Sequence, residues 1–478
     1  METLHAGLLD EAGQKLRNLP PKVLQFGTGV LLRGLPDYYI DKANRAGVFN
    51  GRIVVVKSTQ SGSTDAFEQQ DGLYTHWLRG VSNGRTIDEH YVNASVYAVH
   101  NATEDWELIL KYAEMPSMEL VISNTTEAGI RLEDDQVHAA PPRTYPGKLL
   151  SFLYHRYHHF SGDPNRGMII VPTELIPQNG QLLMSVVIEL AHQHGFDSVF
   201  IDWLENANEF CNSLVDRIVP GAVAPPTVPS LGYEDSLMIM SEPYGLWAIE
   251  TDSDRARQVL AFSQVDEGVV LTPDIDRYLE RKLRLLNGVH TFSCGIALLA
   301  KHTYVLESMQ AEWMVAYMTQ LMQLDIAPLL RDAQISQEEA NLFSQQVLDR
   351  FRNPFLKHAW KSIAAQFTAK MNMRNAKLMH RSIETTGQLP ATMAIGFAAY
   401  FLALPQLAAV YPDDAGVKYW NDKGESCLED LMQDPNLWGE GLAGNANWIT
   451  AVSEAVAQIQ SKGIVEVVKT ASAQLTIV

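Results

Sequence analysis

Apolar residues fall along this chain in two textures. Over the first part, short aliphatic and β-branched runs at 23–26, 52–57, 120–123, 168–171 and 199–201 alternate with stretches of helical period, the pattern of a doubly wound α/β sheet. Two more strand-like runs, at 247–250 and 269–271, follow a proline-rich breaker at 221–230. Near Asp276 the texture changes. From there the apolar positions recur with a period of about 3.6, as at 312–321, 338–350 and 391–404. The pattern predicts an α/β domain over 1–275 followed by an all-α domain over 276–478, with no internal repeat.

The first apolar run, Val23-Leu24-Gln25-Phe26, leads into Gly27-Thr28-Gly29-Val30 and then into a helical stretch carrying Tyr38, Tyr39 and Ile40, with the run at 52–57 after it. A β-α-β unit of this length fits a Rossmann-type dinucleotide-binding fold. Gly27 permits the tight turn and Gly29 lets the backbone approach a pyrophosphate. From Val30 on, the first helical N–H groups are unpaired at the positive end of the helix dipole. Glycine turns of this kind also occur in unrelated α/β domains, and Leu32 stands where the third glycine of the fingerprint is expected. At the end of the second strand, a carboxylate usually binds the ribose hydroxyls of NAD. Lys57 stands there with Ser58 and Thr59 after it, and a lysine would suit the extra phosphate of NADP.

In the helical part, Arg281-Lys282-Leu283-Arg284-Leu285-Leu286-Asn287-Gly288-Val289-His290-Thr291 carries a chemical pattern. Wound as an α-helix with Lys282 at the origin, it puts His290 at about 80° and Asn287 at about 140°. Leu283 and Leu286 share that sector, while Arg281, Arg284 and Leu285 point elsewhere. The lysine, asparagine and histidine are thus expected to face inward. A lysine among leucines loses hydration, which disfavours its charged form and lets it accept a proton near neutral pH. Lys282 is therefore a candidate general base, and Asn287 and His290 are candidate donors to a reacting oxygen. The same spacing also suits a partly buried helix whose long side chains reach back to water.

Three segments end strands at the carboxyl edge, where doubly wound sheets bind ligands. After 120–123 come Asn124 and Thr125, candidates to touch ribose or nicotinamide, or alternatively part of a capping turn with Thr126 or Asn124 as N-cap. After 168–171, Pro172-Thr173-Glu174-Leu175-Ile176-Pro177-Gln178-Asn179-Gly180 brings Glu174 and Asn179 to the same edge, although Asn-Gly is also a common turn pair. Asp216, beside Arg217 among apolar residues, is a candidate either to hold a polyhydroxy substrate or to form a structural ion pair.

Composition narrows the frame. The 478 residues are 46% hydrophobic, enough for a large core in two or three domains. A formal net charge of -19 argues against nucleic-acid or anionic-membrane partners and makes the pocket of any anionic substrate a local positive exception. Cys211, Cys294 and Cys427 are scattered, which suits a reducing cytosol. With no leader or membrane-length apolar stretch evident, the expected location is the cytoplasm. The histidine groups His155, His158, His159 and His192, His194 lack zinc-ligand spacing, so no metal is expected. A dehydrogenase without one must polarise its carbonyl with hydrogen-bond donors and move the proton with a side chain. No heptads mark an oligomer interface, and the oligomeric state stays open.

Lys-x4-Asn-x2-His at Lys282, Asn287 and His290, the turn at Gly27 and Gly29, and Val215-Asp216-Arg217-Ile218 with Pro220 after it together resemble the mannitol dehydrogenase family of polyol-specific long-chain dehydrogenases. Ser123-Asn124-Thr125-Thr126-Glu127-Ala128-Gly129-Ile130, Glu174-Leu175-Ile176, Gln70-Asp71-Gly72-Leu73-Tyr74-Thr75 and Arg350-Phe351-Arg352-Asn353-Pro354 are most similar to the members acting on sugar acids, and the resemblance runs nearly the whole chain from Lys22. It implies a Rossmann-type domain followed by a helical one, and metal-independent hydride transfer between NAD(H) and a small sugar acid. It also implies that Lys282 protonates the new alkoxide during ketone reduction and removes that proton in reverse, with Asn287 and His290 bonded to the reacting oxygen. The mannitol enzymes have an asparagine where Leu175 stands here, so Asn179 or a water would replace that donor. A hexuronate needs a cation for its carboxylate. Arg352, beside Asn353 with Lys357 and His358 one turn on, is the expected one, unless it bridges the helix end before Pro354. The rival readings are a sister enzyme acting on fructuronate, mannitol or mannitol 1-phosphate, and a nucleotide-binding regulatory protein without catalysis.

Overall fold

Six parallel strands form the central sheet of the α/β part: β1 (Pro21–Phe26), β2 (Arg52–Lys57), β3 (Val96–Asn101), β4 (Leu120–Ser123), β5 (Ile169–Pro172) and β6 (Glu209–Phe210). Their spatial order is β3-β2-β1-β4-β5-β6, so the winding reverses between β1 and β4. Ligands of such sheets bind at the carboxyl ends of the strands, at that reversal. The computed structural model describes residues 1–58, 63–125, 128–222 and 231–472; Thr59, Thr126, Glu127 and most of the breaker at 221–230 lie outside the described residues. The chain divides into one unit of residues 1–79 and 87–275 and another of 80–86 and 276–478.

The central strands are apolar at successive positions because alternate side chains enter different cores. Leu24 and Phe26 of β1 join Val54, Val56, Val121 and Ile170 in one cluster, while Val23 joins Ile53, Val55 and Ile122 in the other. The glycine turn after β1 feeds α1 (Val30–Gly34) and α2 (Pro36–Arg45). These are two helices because Pro36 has no N–H to continue the ladder, and Leu35 between them leaves helical geometry at φ -129° and ψ -77°. Further along come α3 (Trp106–Ala113), α4 (Tyr145–His159), α5 (Asn179–Gln193) and α6 (Ser198–Ala207).

One expected strand is a helix. The apolar run at 199–201 lies inside α6, where the Asp197 side chain accepts from the Phe200 N–H, and Phe200, Ile201, Trp203 and Leu204 are buried at helical spacing. A three-residue apolar run fits either element, and here the N-cap and the continuing 3.6-residue period decide. The runs at 247–250 and 269–271 are strands: β7 (Ser213–Asp216), β8 (Leu246–Glu250) and β9 (Val269–Thr272) form a separate three-stranded sheet.

The second unit is largely helical. Its elements include α7 (Asp276–Arg281), α8 (Val289–Leu299), α9 (Gln337–Phe351), α10 (Phe367–Met371), α11 (Lys377–Thr386) and α12 (Ala391–Leu407). Most residues of α12 are buried, as in a helix at the centre of a bundle. At Gly295 of α8 a Cβ would stand 2.5 Å from the Ala399 backbone, so the two helices touch main chain to main chain. Between α7 and α8 the backbone forms a π-helix, Lys282–Gly288, and between α10 and α11 a second, Asn372–Ala376. No helix among the described residues is long and apolar enough to cross a membrane.

Candidate active site

In the α/β unit the glycine turn is built as a cradle. Gly27 has φ +126°, and a Cβ there would meet the Asn124 carbonyl oxygen and Leu32 Cδ1, each at 2.9 Å, so only glycine fits. Its N–H donates to the Val56 carbonyl at 3.0 Å, which pins the turn to β2. Gly29, the residue preceding α1, is exposed with open space where a Cβ would stand, and Thr28 and Val30 beside it are half-buried. Leu32, in place of the third glycine, is fully buried in the core, and close packing is supplied by Gly34, whose Cβ would press on Val219 at 2.8 Å. Lys57 at the end of β2 is buried, 4% exposed.

The ends of β4 and β5 are tied together by polar side chains. Glu174 is 3% exposed, and its carboxylate accepts from Ser123 Oγ at 3.0 Å, the Thr125 N–H at 2.8 Å and Thr125 Oγ1 at 3.0 Å. Burial raises its pKa above the usual carboxylate range, opposed by these hydrogen bonds. Asn124 Nδ2 donates to Thr173 at both its carbonyl (3.1 Å) and Oγ1 (3.0 Å). Asn124 therefore bridges two strand ends rather than capping a helix, and Glu174 braces the Ser123–Thr125 backbone. Glu174, a candidate ligand contact by its place at the strand edge, instead turns its oxygens onto Ser123 and Thr125.

Asn179 requires a second correction. Its Nδ2 donates to the carbonyls of Pro172 (3.2 Å), Glu174 (2.9 Å) and Ser213 (3.0 Å), and its Oδ1 accepts from the Ser213 N–H at 2.9 Å. A side chain 1% exposed with every polar atom engaged has no donor left for a substrate oxygen, so Asn179 does not replace the missing asparagine. Asn179-Gly180 is not a reverse turn either. It opens α5, and a Cβ on Gly180 would lie 2.5 Å from the Cys211 backbone. Leu175 is 59% exposed. Asp216 ends β7, buried opposite Leu246, while Arg217 donates to the carbonyls of Glu242 (2.9 Å) and Gly34 (2.9 Å) and lies over the Tyr38 ring.

In the helical unit the expected α-helical face at Lys282 is replaced by a π turn, which changes the reasoning. A π-helix closes i to i+5 bonds, so Asn287 follows Lys282 by one turn instead of lying about 140° around the axis. The burial pattern shifts with it. Arg284 and Leu285, expected to point away, are buried, whereas Lys282, Leu283, Asn287 and His290 are half-buried. Arg284 is held by Glu280 (2.6 Å) and donates to the carbonyls of Met373 (3.0 Å) and Arg374 (2.5 Å), stapling the two π segments together. The Asn287 carboxamide makes no hydrogen bond among the described residues, while its carbonyl accepts from Thr291 Oγ1 at 2.8 Å.

His290 is boxed by rings. It stacks on Phe351 with centroids 4.0 Å apart and planes 7° from parallel, and His358 and Trp360 stand edge-on at 5.3 and 5.8 Å. Its Nε2 is buried without a partner among the described residues. Burial first, then the positive fields of His358, Arg374, Arg350 and Lys370, hold its imidazole well below the usual histidine range, so it is neutral at working pH. A neutral ring with one unpartnered nitrogen, a lysine and an unpartnered carboxamide can bind an oxygen and exchange its proton.

Arg352 caps α9 with 40% of its side chain exposed, and its Nη1 lies 3.6 Å from Asp349 Oδ1 on the same helix. That is the bridging role weighed from sequence. Two half-buried cations that the sequence did not single out, Lys370 and Arg374, stand at the end of α10 and in the second π segment. A signal existed: residues 350–383 contain no aspartate or glutamate, in a chain that has 56 of them. Cys211, Cys294 and Cys427 are free and buried, and no group of His, Cys, Asp and Glu among the described residues is arranged to hold a metal ion.

Comparison with known proteins matches both units. The mannitol dehydrogenase Rossmann domain model covers residues 21–261, and the mannitol dehydrogenase C-terminal domain model covers 274–460. An altronate oxidoreductase of Bacillus subtilis (strain 168) is 34% identical over 92% of this chain and 92% of its own length. One from Halalkalibacterium halodurans is 34% identical over 97% and 96% respectively. Among solved structures, a Pseudomonas fluorescens mannitol 2-dehydrogenase in ternary complex with NAD and D-mannitol shares the fold at TM-score 0.67 and 21% identity, over 97% of this chain and 96% of that one. A D-sorbitol dehydrogenase in substrate-free form does so at 0.78 and 19%, over 98% and 100%. The chain belongs to the mannitol dehydrogenase family and is an oxidoreductase of the polyol and sugar-acid class.

Proposed function

We propose that this chain is an NAD-dependent oxidoreductase interconverting D-tagaturonate and D-altronate in the cytoplasm, with Lys282 as general acid/base. The full-length likeness to altronate oxidoreductases at 34% identity supports the substrate most. Gly27, Thr28, Gly29 and Val30 would hold the coenzyme at the turn, and Asn124 and Thr125 would line its nicotinamide side. The open flank of Gly29 fits a pyrophosphate, and the burial of Lys57 favours NAD over the phosphate-bearing NADP. Bound NADH supplies the hydride for ketone reduction, and NAD accepts it in reverse.

The residues of the helical unit do the proton work. Asn287 Nδ2 and the unpartnered Nε2 of His290 bond the carbonyl oxygen, stabilising the charge that develops on it. Lys282 donates a proton to that oxygen during reduction and takes it back during oxidation. With Asn179 engaged elsewhere and Leu175 apolar, Asn287 and His290 carry the oxygen contacts that the asparagine of the mannitol enzymes would share. The experiment is NAD(P)H consumption with tagaturonate, fructuronate, fructose and fructose 6-phosphate, in wild type and Lys282→Ala. Preference for tagaturonate with NADH, and a variant that binds NADH without turnover, are expected. Preference for another substrate or for NADPH would overturn the assignment, and a Lys282→Ala variant with near wild-type kcat would remove the lysine from the mechanism.

A further inference from the structure

A local excess of positive charge stands beside His290 in the helical unit. Lys370 Nζ donates to the Ile363 carbonyl at 2.9 Å, and Arg374 Nη1 donates to Thr291 Oγ1 at 3.0 Å and to the Asn287 carbonyl at 3.4 Å. Both side chains are half-buried, and neither has a carboxylate partner among the described residues. Arg374 Nε is buried with no hydrogen-bond partner among the described residues. The two cations also act on each other: burial, and after it the charge of Arg374, push the Lys370 ammonium below the usual lysine range. Two partly desolvated like charges without a counter-ion are costly, and the cost is recovered when an anion binds between them.

The position of the pair says what that anion belongs to. Arg374 reaches the carbonyl of Asn287 and the hydroxyl of Thr291, the residue after His290, so the guanidinium lies one residue from the groups that would hold the reacting oxygen. Asn375, next in the chain, donates to the Gly288 carbonyl at 3.2 Å and fixes the second π segment on the first. The other cation weighed for this role, Arg352, already has Asp349 beside it. In a protein of net charge -19, an uncompensated lysine and arginine at this spot are a specific feature rather than a general surface property.

We infer that Lys370 and Arg374 form the carboxylate-binding subsite for the sugar-acid substrate and set the preference for an anionic over a neutral ketose. The inference rests on the proposed hexuronate activity. The Arg374 guanidinium donates to a carboxylate oxygen in its plane and the Lys370 ammonium contributes a point charge.

The test is steady-state kinetics on full-length wild type, Lys370→Met, Arg374→Met and Arg374→Lys with tagaturonate and with a neutral ketohexose, fructose, as a function of ionic strength. Each methionine variant should lower the acid-over-ketose ratio of kcat/KM by about ten- to a hundredfold, mainly through KM, and flatten the salt dependence. Arg374→Lys should restore part of the ratio, and Lys370→Met, which leaves the Thr291 and Asn287 contacts of Arg374 in place, guards against a folding artefact. A ratio unchanged in both methionine variants overturns the subsite while leaving the hexuronate activity standing. A wild type that reduces the neutral ketose but no hexuronate overturns both.

Discussion

Glu174 offers the sharpest test of how the strand ends beside the glycine turn are held. Its carboxylate, 3% exposed, accepts one main-chain and two hydroxyl hydrogen bonds from Ser123 and Thr125. Glu174→Ala leaves the Thr125 N–H without its acceptor, at about 1–3 kcal/mol, and opens a cavity where the side chain stood, for a total of about 3–5 kcal/mol. At roughly 2–4 °C per kcal/mol for a unit of this size, Tm should fall by on the order of 10 °C. Glu174→Gln is a different perturbation. It keeps an oxygen for Thr125 and loses the charge assistance, but it also removes the burial penalty that raises the carboxyl pKa. These terms oppose each other, so the net change should stay within about 1 kcal/mol. Thermal unfolding followed by circular dichroism reads the stability, and initial rates read KM for NADH and for the sugar acid. The alanine variant should raise KM for NADH because the Ser123–Thr125 backbone loses its brace. If it melts like wild type and raises only the sugar-acid KM, Glu174 touches substrate and the bracing argument is wrong.

Three further outcomes follow from local geometry. Gly27→Ala places a Cβ 2.9 Å from the Asn124 carbonyl at φ +126°, and should cost about 2–4 kcal/mol and most NADH affinity, measured by melting and fluorescence titration. Asp37 is fully buried, with neither oxygen in a hydrogen bond of good geometry among the described residues, and its pKa is pushed up to about 8, by burial first, against the pull of Arg33. The folded protein therefore keeps a proton there that the unfolded chain releases above the ordinary aspartate value of 3.8. The contribution is full below that value and is lost as pH rises towards 8. Asp37→Asn should accordingly stabilise the protein more at pH 7 than at pH 5, by about 2–3 kcal/mol in denaturant melts, and an equal effect at both would refute the linkage. Gly288→Ala puts a Cβ 2.7 Å from Asn375 Oδ1 and forces the two π segments apart; kcat should fall about tenfold or more with KM for NADH unchanged.

Much of the glycine turn and the strand ends beside it was legible in the sequence because these depend on local rules. Two glycines after a buried strand and polar residues at strand ends read directly as β-α-β geometry, and Gly27 and Asn124 do meet at the turn. The helix at 199–201 was misread because three apolar residues carry no period, and the N-cap that decides it, Asp197, lies outside the run. The roles of Glu174 and Asn179 were hidden for a different reason. Position at a strand end is a property of sequence, but whether a side chain turns outward or satisfies neighbouring main chain is set by residues such as Ser213, remote in the chain.

The π turn at Lys282–Gly288 replaces the α-helical angle from which Lys282, Asn287 and His290 were grouped. At α-helical pitch Lys282 and Asn287 are spread over about 140°, a loose sector at best. The π turn brings them into sequence along one face, and Arg284 is thereby freed to turn inward, where it donates to two carbonyls of the second π segment. That second segment carries Arg374, whose other end reaches the Asn287 carbonyl. Each π turn gives up regular α-helical bonding, and these cross-links tie the two segments together. The residues proposed for proton transfer and the cations beside them are tied by these bonds. Moving Arg374 to bind an anion must be felt at Asn287, one hydrogen bond away.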